Sequence, residues 1–238
     1  GHFLGGTKTL LDALLHQLDK SGVQIHLRCP AQRLIIGNGK HIVRTKIGEI
    51  DANAVILAVP LPVAAKLVRD SLPQWSQKLA AVPSIAVVCG LFRLSRNLTK
   101  YFWVNINDPC ISFNGFIEYS NLNPSAELWG GEVVYVPMYV AMGDERMGWT
   151  ARRWAEEFKK GLSIIDSDLV ETVTFELITR DRFAQPVCQP GFSHIVPSIA
   201  GPAPGIFLVE ASQLYPSDRT ISGMIGLANK AAELTADS

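Results

Sequence analysis

The apolar positions of this chain change period several times, and each change marks an element. Leu10, Leu11, Leu14, Leu15 and Leu18 recur at three and four residues, the spacing of one helical face. That pattern predicts a helix opened by Thr7, running to about Lys20 and closed by Ser21-Gly22. Val23–Leu27 and Leu34–Ile36 read as strands, Gly37-Asn38-Gly39 as a tight turn, and His41–Ile47 as the return strand. Ala52–Val59, apolar but for Asn53, is a run ended by Pro60, which fits a strand buried on both faces of a parallel sheet.

The middle of the chain has another character. After short helical patterns between Pro60 and Gln77, strand candidates follow at Ile85–Leu94, Tyr101–Val104, Ile111–Tyr119 and from Gly130 to Val140. A helix is expected from Thr150 to about Leu162, then a strand over Val170–Arg180. Long strands without helices between them predict an antiparallel sheet. Gln185–Gly205, rich in Pro and Gly, connects to a last strand at Ile206–Val209, a polar loop and a helix over Ile221–Leu234. Strand, loop and helix start present backbone N–H groups and a positive dipole end to an anion or a polar cofactor.

The expected class is mixed α/β (α+β) with a discontinuous layout. Residues 1–60 and 186–238 share one domain, with Ala52–Val59 and Ile206–Val209 as natural partner strands, and residues 61–185 form an inserted antiparallel-sheet domain.

Composition narrows the function classes. With 238 residues, 47% of them hydrophobic and only 18% charged, the chain has ample core. Its formal net charge is zero, and no Lys/Arg run exceeds two residues, so the electrostatic footprint of a nucleic-acid binder is missing. Cys29, Cys89, Cys110 and Cys188 are far apart and form no CxxC. They read as buried thiols of a reducing, cytoplasmic compartment, with no metal site or disulfide framework. Pro60, Pro62, Lys66 and Pro83 interrupt the longest apolar stretches, so no membrane span is expected. Neither HExxH, a Walker motif nor a triad spacing for His26 or His194 is present, and no catalytic residue is singled out.

Four segments resemble FAD-dependent amine-oxidase-type flavoproteins, the superfamily of protoporphyrinogen oxidases, carotenoid desaturases and monoamine oxidases. They are Gly5-Gly6 with the leucine helix and Gly22–Ile25, then Cys29-Pro30-Ala31-Gln32-Arg33-Leu34, then Ile50–Pro60, and last the stretch from Gly205 to Met224. Within the superfamily, Trp103–Pro109, Gly115–Tyr119 and Tyr215–Arg219 look most like bacterial protoporphyrinogen-oxidase-like oxidoreductases.

The resemblance implies a partial FAD-binding domain of the amine-oxidase type, carrying the inserted domain as its substrate domain. It implies FAD contacts from Ala31, Ala58, Pro60, Glu210, Ala211, Asp218, Arg219, Thr220, Ile221 and Gly223, and a substrate pocket walled by Trp103, Phe116 and Tyr119. For several of these a plainer reading stays open. Glu210 either holds the ribityl chain or is a solvated loop carboxylate or a helix-cap partner, Asp218-Arg219 is either a bidentate pair or a surface turn, and the aromatics either face a substrate or pack the core.

Two departures matter. No GxGxxG occurs, since Gly37-Asn38-Gly39 lies in a hairpin, and the family's Gly-Asp is Glu210-Ala211 here. The expectation is a C-terminal portion of an FAD-dependent oxidoreductase acting on a small organic substrate. Its glycine-rich N-terminal half lies elsewhere in the same polypeptide, FAD belongs to the whole parent, and the portion is inactive alone; a homodimer is left open. The rivals are a non-catalytic binding module and a flavin isomerase of the UDP-galactopyranose mutase kind.

Overall fold

A computed structural model describes residue 3, residues 5–123 and residues 130–236. In chain order it contains α1 (Thr7–Lys20), β1 (Ala31–Ile36), β2 (His41–Thr45), β3 (Gly48–Ala52), β4 (Val55–Leu57), α2 (Leu61–Val68) and α3 (Pro73–Ala80). Then come β5 (Ser84–Leu94), β6 (Trp103–Asn105), β7 (Gly115–Glu118), α4 (Tyr119–Leu122), β8 (Glu132–Ala141), α5 (Ala151–Ile165) and α6 (Ser167–Val170). β9 (Phe175–Pro186), β10 (Ile206–Leu208) and α7 (Ile221–Ala236) complete it. This is the mixed α/β class expected. The chain forms two compact units, Gly1–Ile25 with Ala86–Arg182, and His26–Ile85 with Phe183–Ser238.

The first unit is built on a five-stranded sheet in the order β6-β7-β8-β5-β9. Burial alternates along β5, as a pleated strand requires. It sends Val88, Phe92 and Leu94 into a core shared with Phe116 of β7 and Val134, Val136 and Val140 of β8. Trp154, Phe158 and Leu162 of α5 close that core. Thr150 caps α5 by accepting the N–H of Arg153 at 3.1 Å, as its position ahead of the apolar face predicts. One charged residue is buried here. Glu118, 0% exposed, accepts the N–H groups of Leu98 at 2.6 Å and Thr99 at 2.8 Å, fixing the segment that leads into β6.

The second unit combines an antiparallel meander, β1-β2-β3, with a parallel pair, β4 and β10. The Gly37–Gly39 turn joins β1 to β2, with Ile36 opposite His41. α2 and α3 cover the unit through Leu61, Ala64, Ala65, Val68 and Leu79, and the Ser76 hydroxyl donates to the Ala65 carbonyl at 2.8 Å. α7 packs Leu227 and Ala231 against Val209.

Several expected elements differ, and the strand expected at Ile111–Tyr119 is confined to Gly115–Glu118, with Tyr119 opening α4. Val23–Leu27 forms no strand; alternation proposes a strand, but a strand forms only where another chain segment takes its hydrogen bonds. The run Ala52–Val59 divides, because Ala52 ends the meander and Val55 starts the parallel pair. The strand after α5 begins at Phe175 and not at Val170, since the Asp166 side chain accepts the Leu169 N–H at 3.0 Å and holds α6.

Candidate functional site

β4 and β10 run parallel, with Ile206 opposite Val55, Phe207 opposite Ile56 and Leu208 opposite Leu57. A further bond from the Val209 N–H to the Leu57 carbonyl, 3.0 Å, extends the pair. Both strands therefore end on the same side, and Ala58-Val59-Pro60 leaves the sheet beside Glu210-Ala211-Ser212. The carboxyl ends of parallel strands are where α/β sheets bind ligands. Pro60 starts α2, its carbonyl accepting the N–H groups of Val63 and Ala64.

Glu210 is engaged locally. Its carboxylate accepts the Ser212 N–H at 2.8 Å, while the Gln213 side chain accepts the Glu210 N–H at 2.8 Å. This is a capping box that opens a 3₁₀ turn over Ala211–Leu214. The Gln213 amide also donates to the carbonyls of Pro197 and Leu208, so the first turn beyond β10 is held from three directions.

Beyond that turn lies a cleft of about 560 Å³, lined among others by Gln185, Cys188, Ser212, Tyr215, Asp218 and Arg219. Ser212 is 2% exposed and its hydroxyl has no hydrogen-bond partner among the described residues. A buried hydroxyl left unpaired carries a free-energy cost that an incoming polar group removes. Asp218 and Arg219 do not form the bidentate pair read as one alternative from their adjacency. The Asp218 carboxylate accepts the Arg219 backbone N–H at 2.8 Å. The guanidinium reaches back across the cleft instead, to the Ala184 carbonyl at 3.0 Å and to the Gln185 side chain. Neighbours in sequence at a turn point their side chains apart, and the guanidinium finds carbonyl acceptors on the strand end.

Of the residues expected to touch a cofactor, the cleft is lined by Ala211, Asp218 and Arg219. Ala58, Pro60 and Glu210 stand at the sheet end, and Ala31 opens β1, exposed and followed by a bulge. Thr220 caps α7, its hydroxyl accepting the Gly223 N–H at 3.0 Å, and Ile221 is the first helical residue. A Cβ on Gly223 would lie 2.9 Å from a Leu214 methyl, so this glycine admits the 3₁₀ turn. Sequence reasoning missed Ser212, Cys188 and Gln185 as lining residues. Only the capping-box spacing of Glu210 and Gln213 hinted at how the loop folds.

In the other unit the three aromatic candidates separate. Phe116 is 1% exposed and belongs to the core, because β7 alternation turns it toward α5; it has no face for a substrate. Trp103 lies on the opposite face of the sheet, 53% exposed, its indole N–H donating to the Asn105 side chain at 2.8 Å. Ile117 is its cross-strand neighbour, and Tyr135 is the neighbour of Ile117. Tyr119 meets Tyr135 edge to face with ring centroids 6.0 Å apart.

Burial, then the Tyr119 and Cys89 neighbours, push the Tyr135 hydroxyl above its ordinary pKa. Burial pushes the Cys89 thiol up to about 11, partly offset by a backbone hydrogen bond from Val136. The thiolate is the reactive form, so a two-unit rise makes Cys89 about 100-fold less reactive near neutral pH. Iodoacetamide labelling followed by peptide mass mapping is therefore expected to modify the exposed Cys110 and Cys188 well before Cys89. Equal labelling of all three would contradict the dry environment assigned to Cys89. Among the described residues no cluster of three or more His, Cys, Asp or Glu is placed to hold a metal, and no helix is long and apolar enough to cross a membrane.

The sequence model of the family described as flavin containing amine oxidoreductase matches residues 1–99. No curated protein matches the chain in sequence. Among solved structures, a candidate protoporphyrinogen oxidase from an Exiguobacterium species is similar with a TM-score of 0.72 at 16% identity, covering 96% of this chain and 51% of its own. An oxidoreductase from Methanosarcina mazei gives 0.67 at 18% identity, covering 96% of this chain and 55% of its own. Reduced UDP-galactopyranose mutase gives 0.64 at 13% identity, covering 81% of this chain and 42% of its own. The chain thus spans about half the length of the first two structures, and the resemblance read from the residues is borne out in sequence over residues 1–99 and in fold over most of the chain.

Proposed function

We propose that this chain, amine-oxidase-like in residues 1–99 and in its fold, is one part of an FAD-dependent oxidoreductase. The complete enzyme oxidises a small organic substrate at a C–H beside nitrogen or at a carbon–carbon bond, and the part alone is inactive. Residues 1–60 and 186–238 serve the cofactor in this reading, and residues 61–185 the substrate. The observation that carries it is the parallel β4–β10 pair, which sends Ala58–Pro60 and Glu210–Ser212 out at one end, next to a cleft with a buried, unpaired hydroxyl at Ser212.

The residues fit a flavin. Ser212 lines the cleft with its hydroxyl buried just behind the wall, and Tyr215 supplies apolar surface for a ring. The capping box holds Glu210 at the sheet end, where a ribityl hydroxyl would meet its carboxylate in place of the family's aspartate. When bound, the flavin supplies the electron sink, and the protein supplies placement and a dry pocket. Trp103 and Tyr119 are the residues proposed to meet the substrate. A homodimer and a bacterial, cytoplasmic setting complete the reading.

The test is expression of the complete reading frame. It should give a yellow protein with flavin absorbance, and Ser212→Ala should weaken FAD binding about fivefold, the loss of one hydrogen bond of about 1 kcal/mol. A colourless complete protein would sink the reading. The likeness to reduced UDP-galactopyranose mutase supports a second reading, flavin-dependent isomerisation without net oxidation. Substrate turnover with no consumption of an electron acceptor would favour it.

A further inference from the structure

Helix α3 sets Trp75 and Lys78 one turn apart on the same face. Both residues line two clefts of the second unit, one of about 470 Å³ and one of about 390 Å³, so they stand where the two meet. No residue lining this double cleft lines the cleft at the sheet end. Its walls are preformed. Trp75 and Val196 rest half-buried on the core under α2 and α3, and the Ser76 hydroxyl ties α3 to the Ala65 carbonyl of α2. The wall from His194 to Pro197 is anchored by Phe192, 1% exposed in the same core. The Phe192 carbonyl accepts the N–H groups of Ile195 and Val196 at 2.9 and 3.1 Å, and the Pro197 carbonyl accepts from the Gln213 amide at 3.2 Å.

The charge at this place has one sign. Lys78 lines both clefts and His194 the larger, while neither cleft has an Asp or Glu among its described lining residues. The Lys78 ammonium has no ion-pair or hydrogen-bond partner among the described residues. Asp70, the acid that precedes α3, is held by Arg33 at 3.1 Å. The helix end does not call on the ammonium either, since the N–H groups of Ala81 and Val82 take the Gln77 and Leu79 carbonyls. An indole and a cation in an apolar-walled hollow complement a flat ring that carries negative charge. A lone ammonium is a point charge, and no arginine fork lines either cleft among the described residues to clamp a phosphate. That points to a carboxylate.

We propose that this double cleft is a second binding site, for a small aromatic carboxylate. The ring stacks on Trp75, and the carboxylate pairs with the Lys78 ammonium. The site goes beyond the flavoprotein reading and does not depend on it. A cleft of about 470 Å³ falls within the range of about 300–1,000 Å³ usual for small-molecule sites.

Isothermal titration of cinnamate into the complete polypeptide tests the assignment, and one saturable site is expected. Cinnamyl alcohol keeps the ring and drops the charge, and should bind about tenfold more weakly. Cinnamate should lose about tenfold on Lys78→Gln as well, the effect of one charge-assisted contact. Trp75→Leu should cost about fivefold, the specific share of an aromatic pair. Lys78 is exposed, so its variant keeps the unfolding midpoint and reports the contact alone. Added FAD should leave the affinity for cinnamate unchanged. Absence of saturable binding, equal affinity for the alcohol, or an unchanged affinity in either variant overturns the proposal. Competition by FAD also overturns it, since that places cinnamate in the sheet-end cleft. Flavin colour is read separately: a colourless protein with this binding pattern sinks the flavoprotein reading and keeps the site, and a yellow protein without it does the reverse.

Discussion

Trp154→Ala is expected to destabilise the sheet unit by about 4 kcal/mol, the usual cost of emptying a tryptophan site in a core. Trp154 is 0% exposed. Its ring lies 5.3 Å from Phe158 and 5.0 Å from Trp149, centroid to centroid, and its indole N–H donates to the Arg146 carbonyl at 3.0 Å. Alanine removes the aromatic contacts, leaves a cavity between α5 and the sheet, and takes one of two donors from that carbonyl, which keeps the Trp149 N–H at 3.0 Å. Against a total stability of roughly 5–15 kcal/mol for a domain, such a loss is a large fraction. Guanidinium unfolding followed by circular dichroism would read it as a lower midpoint. Trp154→Phe keeps most of the ring and loses the hydrogen bond, so about 2 kcal/mol is expected. An unchanged midpoint in the alanine variant would mean that α5 does not close this core.

The second large effect is expected at the candidate site. Gly205 precedes β10 with φ +72°, and a Cβ there would lie 2.7 Å from the Asn53 carbonyl oxygen and 2.8 Å from His41 Nε2. Its own carbonyl accepts the Val55 N–H at 2.8 Å, the first bond of the parallel pair. His41 is 1% exposed and has no slack. Gly205→Ala combines left-handed strain of about 1–2 kcal/mol with overpacking against backbone, about 3 kcal/mol in all. Because the clash falls between β10 and the link into β4, the variant should also lose FAD retention in the complete polypeptide. Gly22→Ala is the control. It has φ +72° and nothing within 4 Å of its Cβ, so it isolates the strain and should cost about 1 kcal/mol. Equal costs at the two positions would remove the role assigned to the close approach.

Much of the fold could be read from the residues because the deciding interactions are local or periodic. The α1 leucines, the Thr150 cap and the Gly37–Gly39 turn each report their own backbone within a few positions. The partnership of Ala52–Val59 with Ile206–Val209 was legible for another reason: few apolar runs in one chain fit a parallel pair, although the expected burial on both faces does not hold, since Ile56 is 42% exposed. Val23–Leu27 shows the limit, since alternation states which side of a strand is apolar and says nothing about who supplies the hydrogen bonds. Phe116 shows another. Two aromatics on adjacent strands look alike in sequence, and only the register opposite Val104 turns Phe116 toward α5 while Trp103 faces the other way.

By itself, then, the sequence determined the class of the fold, the helix with a leucine stripe and the strand–loop–helix at the end of the chain, because period, caps and turns act over short distances. Only the tertiary structure decided that Glu210 works through a capping box and that Arg219 reaches the Ala184 carbonyl and the Gln185 side chain, with Asp218 left to its own turn. It alone decided that the Ser212 hydroxyl is buried without a partner. The reach of Arg219 and the isolation of Ser212 depend on which acceptors the folded chain brings close, and residues far apart in sequence settle that jointly.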